Sequence, residues 1–367
     1  MRVLLVHPGP DFSVADLFNG YHRALKALGV DVAVYDTNQR LSFYGMAHLP
    51  DFNVPEEGLP RDENGDVIRP MHKVFDSEQA MSMAMQGLSH TLYTFWPDVV
   101  VFVSGFFVSA STLRVLRARR HKIVIIHTES PYQDDEQLIR AQFADLNLLN
   151  DPANVEEYRA LVPNSHYMPH AYDPATHYPG ACQYETDFTF VGTIFKSRKT
   201  FFEKFMEAVK LYRMRNQEPY RVEFGGAGWD NEYMDDSPLL EYLGHPRGMC
   251  VDNSETANAY RRSRSGINFY RRESEGEHKG EGWAIGPREV EMAACGMPFL
   301  RDPRPESDML FPFLPSFSSP GEAADQLRWL LSDESRRTSL AIKAQEAIRE
   351  RTFENNTKQM FKYLERK

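Results

Sequence analysis

The chain is 367 residues long, 42% hydrophobic and 26% charged, with a formal net charge of −10. These values describe an ordinary soluble globular protein large enough for two domains. They exclude a bilayer-spanning segment, because no apolar run approaches ~20 residues, and no C-x-x-C spacing joins Cys182, Cys250 and Cys295 into a zinc site or disulfide framework.

Val3–His7 reads as a first strand, broken by Pro8 too soon to be a signal peptide, so the cytoplasm is the expected compartment. After the loop Pro8-Gly9-Pro10-Asp11, Ser13-Val14-Ala15-Asp16 has the form of a capping box. A helix follows with Leu17, Tyr21, Ala24, Leu25 and Leu28 on one face, stopped by Gly29. Val30–Tyr35 is the second strand. Residues 37–75 break the rhythm with Pro, Gly and charge, and Asn64-Gly65 signals a hairpin turn. An excursion of this length is expected to be functional: its Phe43, Tyr44, His48 and Phe52 either line an acceptor pocket or pack it down.

The alternation resumes with a helix over 77–95, a buried strand over Asp98–Ser104, a helix over 109–119 and a buried strand over Lys122–His127. A strand at Asp145–Leu149, a helix at Pro152–Leu161 and the stretch Ser165–Ala171 lead to a linker at Pro179-Gly180. The pattern restarts with strand Phe188–Val191, the turn Gly192-Thr193, helix Arg198–Tyr212 and strand Arg221–Phe224, which runs into Gly225-Gly226-Ala227-Gly228-Trp229. A helix at 255–263, a strand at Gly266–Tyr270, a helix from Pro287 and a short strand at Phe299-Leu300 follow. Two tail helices, at 320–332 and 334–364, complete the chain.

Two such sets predict an α/β fold of two doubly wound, Rossmann-like domains facing each other across a cleft, with C-terminal helices packing back toward the N-terminal domain. The expected boundaries are 1–173 (with the excursion 37–75), 187–335, and a tail helix at 336–367. Ligands in such sheets bind beyond the carboxyl ends of strands.

The densest motif is Gly286-Pro287-Arg288-Glu289-Val290-Glu291-Met292-Ala293-Ala294-Cys295-Gly296. Proline suits a first helical position and Gly296 a left-handed stop, so this helix is short and bounded at both ends. Arg288 and Glu291 project from one face near its N-terminus. A positive helix end bearing a guanidinium suits a diphosphate, and a carboxylate one turn on suits ribose hydroxyls. The alternative is an exposed ion pair between the two residues.

Three segments together resemble the GT-B glycosyltransferases, and among them the CgeB-like, spore-maturation type group. They are His127-Thr128-Glu129-Ser130-Pro131-Tyr132; Phe190-Val191-Gly192-Thr193 with Lys196, Arg198 and Lys199 behind it; and Arg288 through Gly296 followed by Pro298-Phe299-Leu300-Arg301-Asp302. The resemblance spans most of the chain. It implies a hexosyl-transferring enzyme with an N-terminal acceptor domain and a C-terminal donor domain. The donor would be a nucleotide sugar with UDP as carrier, a co-substrate rather than a cofactor. The donor-site residues implied are Gly9, Gly192, Thr193, Lys196, Arg198, Gly286 and Glu291, with Gly226, Gly228 and Trp229 on the loop that passes the base. Trp229 either meets the base or packs inside. Many retaining relatives carry a Glu eight residues before the one at Glu291; this chain has Trp283 there, which leaves the stereochemistry open.

Sugar transfer builds negative charge on the leaving diphosphate, which a metal or fixed donors must meet. No Asp-x-Asp triplet occurs, so metal-independent catalysis is expected, with Arg288, Lys196 or Arg198 and the Gly192-Thr193 backbone meeting that charge. On the acceptor side His7, His127, Glu129, Asp134 and Asp135 lie at or just after strand ends, and His127 and Glu129 are first in line to take the acceptor's proton. The expected catalytic set is therefore His127, Glu129 and Arg288. The polar loop 276–282 is either a lid or a plain connection.

The acceptor stays open among protein, glycan, small molecule and modified DNA bases. The acidic balance opposes DNA, while the basic runs Arg114–Lys122 and Arg261, Arg262, Arg264, Arg271 and Arg272 keep it in play. A sugar-nucleotide epimerase or hydrolase, or a non-catalytic nucleotide-sugar-binding protein, are the alternatives. A dinucleotide oxidoreductase is disfavoured, since Pro-Gly-Pro-Asp stands where G-x-G-x-x-G would be needed.

Overall fold

Runs such as Val99–Val103 have no polar face to give to water, and each of these residues is buried. The structure, a computed structural model, describes residues 1–9, 12–180, 183–216, 220–273 and 282–365. The first half contains β1 (Arg2–Val6), α1 (Phe12–Ala27), β2 (Asp31–Tyr35), α2 (Thr37–Gly45), β3 (His48–Pro50), β4 (Met71–Lys73), α3 (Ser77–Phe95) and β5 (Val99–Val103). It continues with α4 (Ala110–Ala118), β6 (Lys122–His127), α5 (Asp134–Ala141), β7 (Leu146–Leu149), α6 (Val155–Leu161) and β8 (Ser165–Tyr167). Six strands pair in parallel in the order β2-β1-β5-β6-β7-β8. Strand alternation divides them between two cores: Val3, Leu5, Val101 and Val124 face α1, while Leu4, Val6, Val100 and Ile123 face α3 and α4.

The second half contains β9 (Phe188–Val191), α7 (Lys196–Asn216), β10 (Val222–Gly225), α8 (Asn253–Arg262), β11 (Gly266–Asn268), α9 (Pro287–Ala294), β12 (Phe299–Arg301), α10 (Pro305–Leu310) and α11 (Pro320–Leu331). Its sheet, β10-β9-β11-β12, is also parallel. Its core is aromatic, with Phe188, Phe190, Phe202, Phe205 and Phe224 all buried.

The tail predicted as one helix over 334–364 is two: α12 (Glu334–Ala347) and α13 (Phe353–Glu365). The chain turns between them, where Tyr172 N–H donates to the Arg351 carbonyl at 2.9 Å. α12 adds Leu340 and Ala344 to the second core, whereas α13 crosses back and puts Phe353 and Met360 into the first. Gly20 on α1 makes room for this crossing, because a Cβ there would overlap the Phe353 ring. The expected return of the tail to the N-terminal domain is thus carried by α13.

α1 begins at Phe12, ahead of the Ser13 expected to cap it, and α2, α5 and α10 were not foreseen. The Asn64-Gly65 turn is present, with Gly65 at φ 87°. In the excursion, Phe43 and Phe52 are 69% and 74% exposed, and Tyr44 packs edge-on against Phe75. None of Phe43, Tyr44, His48 and Phe52 lines the interdomain cleft, so of the two alternatives the acceptor pocket is not formed there. No helix among the described residues is long and apolar enough to cross a membrane.

Candidate active site

Each sheet reverses its winding once, between β1 and β5 in the first and between β9 and β11 in the second, and such points form ligand crevices. Arg288 on α9 spans the second. Its Nε donates to the Val191 carbonyl at the end of β9 (2.6 Å) and its Nη1 to Asn268 Oδ1 at the end of β11 (2.7 Å). Gly192 admits it, since a Cβ there would overlap the guanidinium. Gly226, at φ 111°, lies so close to Gly192 that a Cβ would strike the Gly192 backbone.

Arg198 lies buried beside Arg288, donating to the carbonyls of Phe269 (2.9 Å) and Thr193 (2.8 Å). Both guanidiniums are thus held by neutral acceptors, and among the described residues neither pairs with a carboxylate. Burial, then the Arg288 charge, drives the Arg198 pKa well down, which marks a cation short of compensation. α7 and α9 both start beside this point, and helix N-termini add positive potential.

A cleft of about 240 Å³ between the domains is lined by Arg198, Arg271, Arg288 and Arg304 opposite Glu129, Tyr132, Asp151 and His170. A neighbouring cavity of about 340 Å³ shares Gly192, Thr193, Pro287 and Arg288, then runs toward Gly226, Val251 and Glu291 under Asp16 and Leu17 of α1. Glu291 makes no ion pair with Arg288 among the described residues, so the surface-pair alternative is not what the fold builds.

Carboxylates fix the strand of chain that leads into α9. Asp151 accepts from the N–H groups of Trp283 (2.8 Å) and Ala284 (2.9 Å), Glu306 from that of Ile285 (2.8 Å), and Glu289 from that of Gly286 (3.0 Å). Asp151 comes from the first domain, so this clamp also joins the two halves. Arg304 donates to Tyr132 across the same seam and stacks 3.6 Å from the Tyr270 ring centroid.

The residues expected at the site divide. Arg288, Arg198, Gly192, Thr193, Gly286 and Glu129 line the cleft, and Glu291 and Gly226 line the adjoining cavity. The Gly192 N–H is already committed to the Gly225 carbonyl at 2.9 Å, so this glycine supplies space rather than a donor. Glu129 accepts from Arg271 Nη2 at 2.8 Å, a pair reaching from one domain to the other.

His127 is corrected: it is 1% exposed, its Nε2–H donates to Asn147 Oδ1 at 2.8 Å, and it sits behind the cleft wall. Burial pushes its pKa down to about 4. Trp229 is wholly buried among Phe224 and its neighbours and offers no face to a base. Lys196 is exposed and lies 5.6 Å from the Tyr233 ring centroid, outside both cavities. Gly228 shapes the turn at φ 82°, and Gly9 packs against Phe107, so neither lines a cavity. Asp134 is buried and bonded to Ser130, Gln137 and Tyr158, a structural hub. Of the loop 276–282, all but Gly282 lies outside the described residues.

His170, Asp151, Asp16 and Arg304 escaped the sequence reading. His170 was within reach of it, since it follows β8 at a carboxyl strand end like the others. The second basic run proves largely neutralised: Arg262 pairs with Glu223, Arg264 with Asp187, Arg271 with Glu129 and Arg272 with Asp302.

Among solved structures the chain resembles a sucrose-phosphate synthase from Thermosynechococcus elongatus, at 12% identity over 99% of each chain with a TM-score of 0.59. It also resembles a trehalose-6-phosphate structure from E. coli bound with UDP-2-fluoro glucose, at 11% identity over 100% of this chain and 99% of that one, TM-score 0.60. A third is a UDP-GlcNAc 2-epimerase from Neisseria meningitidis bound to UDP-GlcNAc, at 10% identity over 99% of each chain, TM-score 0.57. The fold is that of the GT-B glycosyltransferases. Residues 198–362, which include Arg198, Arg288 and Glu291, match the family described as glycosyl transferase-like, so the second half carries a glycosyltransferase-like domain. No curated protein matches the chain in sequence.

Proposed function

We propose that this protein is a glycosyltransferase that moves a hexosyl group from a UDP-sugar to a hydroxyl-bearing acceptor, without a metal ion, and that it is kin to the CgeB-like group. The observation that carries this reading is the pair Arg198 and Arg288. Two guanidiniums bonded only to neutral groups among the described residues, at a sheet's switch point and beside two helix N-termini, call for an anion.

As the bond from the sugar C1 to the β-phosphate oxygen breaks, the electron pair goes to that oxygen. Arg288, Arg198 and the Thr193 N–H stand where this charge develops, and stabilisation confined to that moment lowers the barrier. Glu291 accepts from the ribose hydroxyls. The acceptor hydroxyl forms the new bond to C1 and gives its proton to Glu129, the cleft-lining carboxylate of the N-terminal wall. Burial and the charges of Arg351 and Arg304 push His170 down to about 3, so its imidazole is neutral and too weakly basic to take that proton; it lines the cleft as a hydrogen-bonding group. With no Asp-x-Asp triplet in the chain, these fixed donors take the part a cation plays elsewhere.

A thermal-shift panel of UDP-, GDP- and TDP-sugars tests the donor. UDP-sugars are expected to raise Tm most, and turnover is expected to survive a chelator. Stabilisation by none of them would overturn the reading. Free sugar or an epimer formed without acceptor would replace it with a hydrolase or epimerase.

A further inference from the structure

Two carboxylates line the 340 Å³ cavity from opposite domains: Glu291 on α9 and Asp16 on α1. Both are part-buried, and among the described residues neither side chain has a hydrogen-bond or ion-pair partner. Tyr260 lines the same cavity at 1% exposure, and its hydroxyl also has no partner among the described residues. These polar groups line the cavity from both sides and are placed to hydrogen-bond a ligand that enters it. The cost of that placement is visible at Asp16. Burial first, then the charges of Glu291 and Asp252, raise its carboxyl to about 8, with Arg23 on its own helix the opposing charge. A ligand that brings hydroxyl groups to both walls fits this lining. It must also tolerate the cationic Arg288 on the same lining, which disfavours a metal ion there.

Resting on the nucleotide-sugar reading above, we propose that Asp16 belongs to the donor site. The vicinal diol of the ribose is held between Asp16 of the N-terminal domain and Glu291 of the C-terminal domain, so that donor binding draws the two domains together. The sugar ring of the nucleoside acts as the bridge, and α1 becomes a sensor of donor occupancy rather than a packing helix alone.

The proposal carries a pH signature. The value of about 8 belongs to Asp16 with the two domains as close as they stand here; drawing them apart removes Glu291 and Asp252 and exposes the carboxyl, which lowers its pKa, so closing takes up a proton. Closure is favoured at low pH, weakens as pH rises from the ordinary carboxyl range toward about 8, and levels off beyond it. The groups facing Asp16 are Glu291 of α9, Asp252 just before α8, Tyr260 of α8 and Arg23 of α1, with Arg288 sharing the cavity.

UDP and 2′,3′-dideoxy-UDP, titrated by calorimetry against the wild type, Asp16→Ala, Asp16→Asn and Glu291→Ala, test it. Asp16→Ala is expected to weaken UDP about tenfold and leave the dideoxy compound unchanged. Asp16→Asn is expected to keep most UDP affinity but lose the proton uptake seen in the wild type. An Asp16→Ala protein with wild-type preference for UDP over the dideoxy compound overturns the proposal. So does proton uptake unchanged in Asp16→Asn. If Glu291→Ala alone loses the preference, the nucleotide-sugar reading stands and this inference falls. If the wild type binds neither compound, both fall.

Discussion

At the switch point of the second sheet, Gly192 leaves room for the Arg288 guanidinium; at that of the first, Gly9 leaves room for the Phe107 ring. Both glycines permit a close approach, but of very different neighbours. Around Gly9 the polar capacity is used internally, with its N–H donating to His7 Nδ1 at 3.2 Å and the His7 ring edge-on to Phe18 at 4.7 Å. Around Gly192 two cations are left with neutral partners. Topology therefore offers two crevices, and the side chains at each decide which one takes a ligand.

The strongest way to break this comparison is Arg288→Ala. The loss in kcat is expected to be about 10²–10³-fold, the scale of removing one oriented donor from developing charge. Gly192→Ala should reproduce much of it, because its Cβ takes the space of the guanidinium. Steady-state kinetics on protein shown to be folded by circular dichroism checks both, and near-normal turnover would leave the two crevices without a functional distinction. Next, Glu291→Ala should weaken UDP by ~1.5–3 kcal/mol in calorimetry, as for a lost charged hydrogen bond.

Gly9→Ala sharpens the contrast from the other side. Its φ of 117° and the Phe107 ring make it costly for folding, by about 1–3 kcal/mol, while the UDP affinity of the folded fraction stays unchanged. His127→Ala is expected to lower Tm yet leave kcat within about twofold, whereas a base would lose about 10²-fold or more on removal. The smallest effect should come from Lys196→Ala, within about twofold in kcat/KM, since this lysine faces Tyr233 rather than the cleft.

Much of the scaffold was readable because the central strands, such as Val99–Val103 and residues 123–126, are continuous apolar runs and the donor helix is punctuated by Pro287 and Gly296. The helix α5 was hidden by Asp134-Asp135-Glu136, which resembles a loop, although acidic residues in a first turn are themselves a helix-start signal. The break between α12 and α13 carries no Gly or Pro; it is enforced by pairing with Tyr172, nearly 180 residues away in sequence. Distance in sequence also hid the site's finer structure. The partner that removes His127 from the cleft is Asn147 on the next strand, and the clamp of Asp151 on Trp283 and Ala284 joins opposite domains. Arg288 was readable as a donor-site residue, but its bonds to the ends of β9 and β11 exist only once the sheet is assembled.

The most direct test is a crystal structure with UDP soaked in. The diphosphate is expected against Arg198, Arg288 and the Thr193 N–H, with no intervening ion. A nucleotide seated elsewhere, or one held through a metal while both arginines keep only their neutral partners, would contradict the account.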